Sequence, residues 1–340
     1  MRTFILICAA ILLHAAPLAA QAGEPLSIVA TTTQASDLAR ILTQGIPDDV
    51  VEVTGLMGPG VDPHLYKPTE ADTRAMSQAD ALIYMGLHLE GRFDEIFAAL
   101  AQQGTRIVRL AQPVEAAGYV LEALEDGEGA PDPHFWFDPR NWRMSAAALA
   151  DALSDLLPEQ RPQIEANLAA YQAQLDELFV WAVQGMGSVP QGQRYLVTSH
   201  DAFHYFGLAF GWQMQAIQGV STASEAGVGD IQATVRFIVE HGIPVIFVES
   251  TIPLDTIESV REAVRAGGGT VEIGLRELYS DAMGAPDEFG GTYVGMIAHN
   301  VYTMLQSYAR AGVAVTIPAW PEGVTPQPPA DWFLEGEGDA

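Results

Sequence analysis

RPQIEANLAAYQAQLDELFVWAVQ, residues Arg161–Gln184, reads as one long helix that divides the chain into two halves. It holds no internal Gly, and its only Pro, Pro162, falls in the first turn, where Pro is tolerated. Ile164, Leu168, Tyr171, Leu175 and Phe179 recur at three- or four-residue intervals and form a single apolar stripe. About 24 residues at ~1.5 Å each give a rod of roughly 36 Å, long enough to run along two lobes. Gly185, Gly187 and Pro190 then end it. The competing reading is a helical hairpin packed inside one lobe.

On either side, short β-rich runs alternate with helical stretches. Before the long helix, strands are expected at Leu26–Thr32, Val50–Met57, Ala81–Gly86 and Arg106–Leu110, with helices such as Thr33–Gln44 and Glu70–Gln78 between them. After it, Tyr195–Ser199, Trp212–Ile217, Pro244–Ser250 and Thr270–Gly274 are the strands, separated by helices at Asp230–His241 and Leu254–Ala266. The fold class is α/β, with two lobes, each a mainly four-stranded parallel sheet with flanking helices, joined by one long rigid helix. The expected divisions are a signal peptide (1–22), a first lobe (23–141), a helical connector (142–188), a second lobe (189–317) and an acidic, Pro-rich tail (318–340) that is poorly ordered.

Arg2, the apolar run Phe4–Leu13 and the small residues at Ala20 and Ala22 form a secretory signal with cleavage expected after Ala22. Cys8, the only cysteine, lies inside that run, where it does not fit a lipid-anchor site. The mature chain is therefore expected to be a free periplasmic protein without disulfides or thiolate ligands, so any metal is held by nitrogen and oxygen. The formal net charge is −27, from 16 Lys and Arg against 43 Asp and Glu. Such a surface repels phosphate backbones and argues against nucleic acid as a partner. It attracts cations without identifying one.

The histidines differ in context. His64 lies in Gly58-Pro59-Gly60-Val61-Asp62-Pro63-His64, and His134 in Asp132-Pro133-His134-Phe135-Trp136. Gly and Pro stiffen such loops, and Asp-Pro-His occurs in both. His200 closes the first strand of the second lobe, and Asp281 follows that lobe's last strand. Ligands of open α/β sheets bind beyond the carboxyl ends of strands, which places these four at a cleft between lobes. His204, four residues after His200, is the runner-up, on the same face if the segment is helical. His88 is expected to face solvent or cap a helix, His241 to end a helix, and His299 to be structural.

At these residues the sequence resembles the cluster A-I solute-binding proteins of zinc and manganese ABC importers. The matching stretches are Gly58–Thr69, Ala81–Glu90, His134–Pro139, Thr198–Gly207, Gln218–Val228, Phe247–Pro253, Tyr279–Gly284 and Gly291–Asn300. The resemblance implies two lobes joined by a rigid helix, metal held between them by His64, His134, His200 and Asp281, and an ABC permease in the inner membrane as partner. It also implies a monomer that is not an enzyme. The segment Ala111–Asp132 lacks the His-rich loop of one branch, and His200 stands where a manganese-selective branch has Glu. The chain thus resembles the three-His, one-Asp branch.

Three imidazoles and a carboxylate suit Zn²⁺ in four-coordinate geometry, and the Irving–Williams order places zinc above manganese for one site. A bidentate Asp281 would serve Mn²⁺, so one Zn²⁺ or Mn²⁺ per chain is expected as transported cargo. The rival class is a secreted zinc hydrolase with Glu249 as general base. No His-Glu-x-x-His helix supports it, and a fourth protein ligand would fill the open position such an enzyme needs. Glu249 is expected instead to orient a ligating imidazole. A metal-independent adhesin is the third class, and the stiff His loops count against it.

Overall fold

Parallel strands buried on both faces organise the computed structural model, which describes residues 24–91, 93–123 and 129–333. The expected signal peptide, with Cys8, lies outside the described residues. The first lobe contains β1 (Leu26–Ala30), α1 (Thr33–Leu42), β2 (Val51–Gly55), α2 (Glu70–Gln78), β3 (Ala81–Tyr84), α3 (Asp94–Gln102), β4 (Arg106–Arg109) and α4 (Gln112–Ala116). Its four strands are parallel in the order β2-β1-β3-β4, with Ile28 opposite Val53 on one side and Ala81 on the other. Helices α5 (Pro139–Leu156) and α6 (Arg161–Met186) follow. The second lobe contains β5 (Tyr195–His200), α7 (His204–Phe210), β6 (Gln213–Gln218), α8 (Val228–His241), β7 (Val245–Ile246), α9 (Asp255–Ala266) and β8 (Glu272–Ile273), and α10 (Tyr293–Arg310) comes last. β5 pairs β6 and β7 pairs β8, both parallel, and the Phe247 N–H donates to the Val197 carbonyl at 2.9 Å. That bond sets β7 beside β5, so the order β6-β5-β7-β8 repeats that of the first lobe.

Strand alternation explains the layers. Ile28, Ala30, Ala81 and Ile83 face a large core, while Val29 and Leu82 face a smaller one with Met76, Phe93 and Phe97. In the second lobe, Leu196, Val245 and Phe247 face the same large core, while Val197, Ile246 and Val248 meet Ile238, Ile257 and Val260. Both sheets therefore turn one face to a shared core, the pattern expected of parallel sheets covered on both sides.

α6 is two residues longer at its C-terminus than the sequence reading and joins the lobes at both ends. Near its start, Asn167 Nδ2 donates to the carbonyls of Leu42 and Gln44 at 3.0 and 2.8 Å. At its end, the Met186 carbonyl accepts from Trp212 Nε1 at 3.2 Å. Ile164, Tyr171 and Leu175 are buried, while Leu168 and Phe179 are partly buried against the same core.

Two expectations differ from the structure. β7 and β8 are shorter than predicted: the ladder starts only where the Glu272 N–H donates to the Pro244 carbonyl, and residues between Gly274 and Leu278 interrupt it. Gly274 N–H donates to the Ile246 carbonyl, and the next rung is Leu278 N–H to Val248 at 2.8 Å. The tail is also ordered through Phe333. Trp181 Nε1 donates to the Pro318 carbonyl at 3.1 Å, Trp320 stacks edge-on to Trp181, and Trp332 packs on His299 and Tyr302. Its Pro, Glu and Gly content hid these two indoles, whose burial anchors the segment on α6 and α10.

Candidate metal centre

The four residues singled out by sequence lie on four separate segments. His64 sits on the loop between β2 and α2, and His134 opens the short 3₁₀ turn Phe135–Phe137 that leads into α5. His200 is the last residue of β5, and Asp281 lies between β8 and α10.

Each segment has a local reason for its shape. In both Asp-Pro-His sequences the Asp carboxylate accepts the His backbone N–H, Asp62 from His64 at 2.8 Å and Asp132 from His134 at 2.9 Å. The aromatic run Phe135, Trp136 and Phe137 is fully buried, which pins His134 between the lobes. The Asp281 segment is braced from the first lobe: the Ser280 carbonyl accepts from Gln34 Nε2 and Trp136 Nε1, both at 3.3 Å, and the Met283 N–H donates to Thr33 Oγ1 at 2.9 Å. From α10, Asn300 brackets Tyr279, accepting its N–H and donating to its carbonyl at 2.9 and 2.7 Å.

His64, His134, His200 and Asp281 each offer one ligand atom, and these atoms all lie within 4.8 Å of one another. His64 Nε2 is 3.4 Å from His134 Nε2 and 3.8 Å from Asp281 Oδ2. Asp281 Oδ1 is 3.3 Å from His134 Nε2, and Oδ2 is 3.2 Å from His200 Nε2. Tetrahedral ligands ~2.1 Å from a central ion stand about 3.4 Å apart, so the spacing suits a Zn²⁺-sized cation. His134, His200 and Asp281 are buried, whereas the His64 side chain is 4% exposed and forms the solvent side of the group. Both Asp281 oxygens and His200 Nε2 are buried and form no hydrogen bond, a costly arrangement unless something else satisfies them.

Carboxylates behind the imidazoles fix which nitrogen faces inward. His134 Nδ1 lies 2.8 Å from Asp132 Oδ1. His200 Nδ1 lies 2.6 Å from Glu249 Oε2, while Glu249 Oε1 accepts the His200 backbone N–H at 2.9 Å. In His134 the Nδ1 hydrogen bond to a carboxylate leaves Nε2 to coordinate, and in His200 the close Nδ1–Glu249 ion pair, though not a hydrogen bond, likewise leaves Nε2 facing the group. Glu249 takes the orienting place expected from sequence. Asp132 was missed, although the repeated Asp-Pro-His was its signal.

The same charges move the proton equilibria. Burial disfavours the His134 imidazolium, but Asp132 and Asp281 outweigh it and raise the pKa to about 9. His200 is likewise held well above the usual value, because Glu249 and Asp281 overcome burial. Burial pushes His64 down to about 3. Burial also works against the Asp281 carboxylate, yet His200 and His134 hold it well below the usual carboxylate range.

The other described histidines stand apart from the group. His204 begins α7 whereas His200 ends β5, so helical spacing does not relate them; His204 Nδ1 instead lies 3.8 Å from Asp132 Oδ2. His88 is exposed beside Asp94 at 3.1 Å. His241 ends α8, with Nδ1 3.2 Å from the Tyr195 hydroxyl, and His299 Nε2 lies 2.9 Å from the Glu277 carbonyl.

The family model of the periplasmic zinc-uptake complex component A, ZnuA, matches residues 28–307. The zinc-binding protein TroA of Treponema pallidum is 42% identical over 292 residues, 86% of this chain and 91% of that protein. The manganese-binding lipoprotein MntA of Bacillus subtilis is 37% identical over 287 residues, 84% of this chain and 90% of its own length. The solved structure of the periplasmic zinc-binding protein TroA superposes with a TM-score of 0.77, covering 84% of this chain and 99% of that one.

Proposed function

The chain belongs to the periplasmic zinc-uptake component A family, and we propose that it captures one Zn²⁺ or Mn²⁺ ion between its lobes for an ABC importer. The observation that carries this reading is the convergence of three imidazole Nε2 atoms and one carboxylate in a buried interlobe group. His64, His134 and His200 supply nitrogen, and Asp281 supplies the charge that balances part of the cation's. Tetrahedral coordination through one Asp281 oxygen suits Zn²⁺. Both Asp281 oxygens face the group, so bidentate binding would add the oxygen ligation that Mn²⁺ favours.

Proteins of this family are solute-binding components of metal transport and not enzymes, and they act outside the cytoplasm with a membrane permease and its ATPase. A hydrolase reading has no support in the family, and Glu249 is engaged with His200 from behind, away from any open coordination position. No helix among the described residues is long and apolar enough to cross a membrane. In this reading the mature protein begins after about Ala22, acts as a monomer in the periplasm, and folds as lobes 23–141 and 189–317 about the connector 142–188.

Binding is expected to release protons. Sequence alone places the loss of affinity below about pH 6, from ordinary imidazoles. The raised His134 and His200 values extend it upward: below about pH 9 metal must displace a proton from His134, and one from His200 as well. His64, unprotonated above about pH 3, adds nothing in this range. Apparent affinity should therefore rise between pH 6 and pH 9 by about tenfold per unit for each proton displaced. Titration calorimetry with Zn²⁺ in two buffers of different ionisation heat counts both quantities: one ion per chain, and about two protons released at pH 7.5. Binding without proton release, or no tight equivalent at all, would contradict the assignment.

A further inference from the structure

We infer that the hydrogen bond from Thr222 to Asp62 is the latch that holds His64 in the closed site and sets how fast metal leaves. The two Asp-Pro-His sequences spend their carboxylates differently. Asp132 receives both the backbone N–H and the ring Nδ1 of His134, so that imidazole is fixed within its own segment. Asp62 receives the His64 backbone N–H on Oδ1, but its Oδ2 accepts from Thr222 Oγ1 at 2.6 Å. Thr222 lies between β6 and α8, in the second lobe, and is buried. One carboxylate thus ties the His64 backbone to the opposite lobe.

The remaining ligand atoms sit on segments braced in several ways. His200 ends a sheet strand and is held by Glu249, His134 precedes three buried aromatic residues, and the Asp281 segment is gripped by Gln34, Thr33 and Trp136. His64 lies on the solvent side of the group, on the loop that Asp62 anchors. Gly60 takes φ +70° in that loop, a conformation other residues rarely adopt. When the His64 loop leaves the second lobe, Asp62 loses Thr222 and His64 withdraws with it, while the lobes and the other three ligands stay in place. Asp62 and Thr222 are positioning residues, since neither touches the ion.

This inference rests on the metal-binding reading, and the test separates the two. Full-length mature protein is loaded with one equivalent of Zn²⁺ and mixed with excess chromogenic chelator, and the release rate is followed by stopped flow. Thr222→Val, which keeps shape and removes the donor, is expected to release zinc about tenfold faster or more, as for a lost hydrogen bond to a charged group. Thr222→Ser, which keeps the hydroxyl, should stay within about twofold of wild type, and the metal-free melting temperature of both variants should match wild type. Equal release from wild type and Thr222→Val overturns the latch, as does a Thr222→Ser variant as fast as Thr222→Val. A metal-free protein destabilised by Thr222→Val as strongly as the loaded one also overturns it, by showing a general structural role. Wild type that holds no zinc at all removes the metal reading and the latch with it.

Discussion

Asp281→Ala is expected to weaken Zn²⁺ binding by about a hundredfold to a thousandfold. Four ligands in a structural zinc site together contribute ~10–16 kcal/mol, so one of four is worth roughly 2.5–4 kcal/mol, at ~1.4 kcal/mol per decade. The loss has two origins that partly oppose each other. The ion loses its one anionic ligand, whose oxygens stand 3.2–3.3 Å from His200 and His134. The same substitution removes a charge that raises the pKa of both imidazoles, so fewer protons must then be displaced. The variant should therefore bind more weakly and also release fewer protons per ion at pH 7.5. Competitive titration against a zinc indicator measures the first effect, and calorimetry in paired buffers the second. Affinity equal to wild type would remove Asp281 from the site.

The next largest effect is expected from the carboxylates behind the ligands. Glu249→Ala leaves His200 Nδ1 without its partner at 2.6 Å and its backbone N–H without an acceptor. Asp132→Ala does the same to His134 on both counts. Loss of such orienting partners costs about 10–100-fold in affinity, and each substitution should fall in that range by the same titration. Glu249→Gln, which retains an acceptor oxygen, should lose less than Glu249→Ala. His88→Ala, remote from the group and exposed, should bind as wild type does. An unchanged affinity for both Glu249→Ala and Asp132→Ala would mean that ring orientation is set by packing alone.

The fold was legible where a pattern had a physical period. The long helix showed itself by its unbroken apolar stripe, and the strands of the first lobe by short apolar runs between turn residues, with ends off by one or two residues. The expected β7 runs too long because apolar composition continues through Phe247 and Val248 while the ladder is interrupted opposite them. The tail was misread because composition averages over residues, and Trp320, Val324 and Trp332 act individually. The shared helix face that would have made His204 a rival to His200 does not form, because the chain changes from strand to helix between them.

At the site, the residue types and strand-end positions pointed to four candidates, and folding brings those four together. Their partners were harder to read. Glu249 could be nominated from its place at a strand end and Asp132 stands only two residues before His134, but Thr222 acts through a contact 160 residues away in sequence. The raised His134 and His200 values also depend on three-dimensional proximity to carboxylates, which spacing does not encode.

The most direct test of the account is anomalous diffraction at the zinc edge from crystals of the zinc-loaded mature protein. A single strong peak is expected between the lobes, ~2.0–2.2 Å from Nε2 of His64, His134 and His200 and from an Asp281 oxygen. A peak bound elsewhere, or one coordinated by His204 in place of His200, would contradict it.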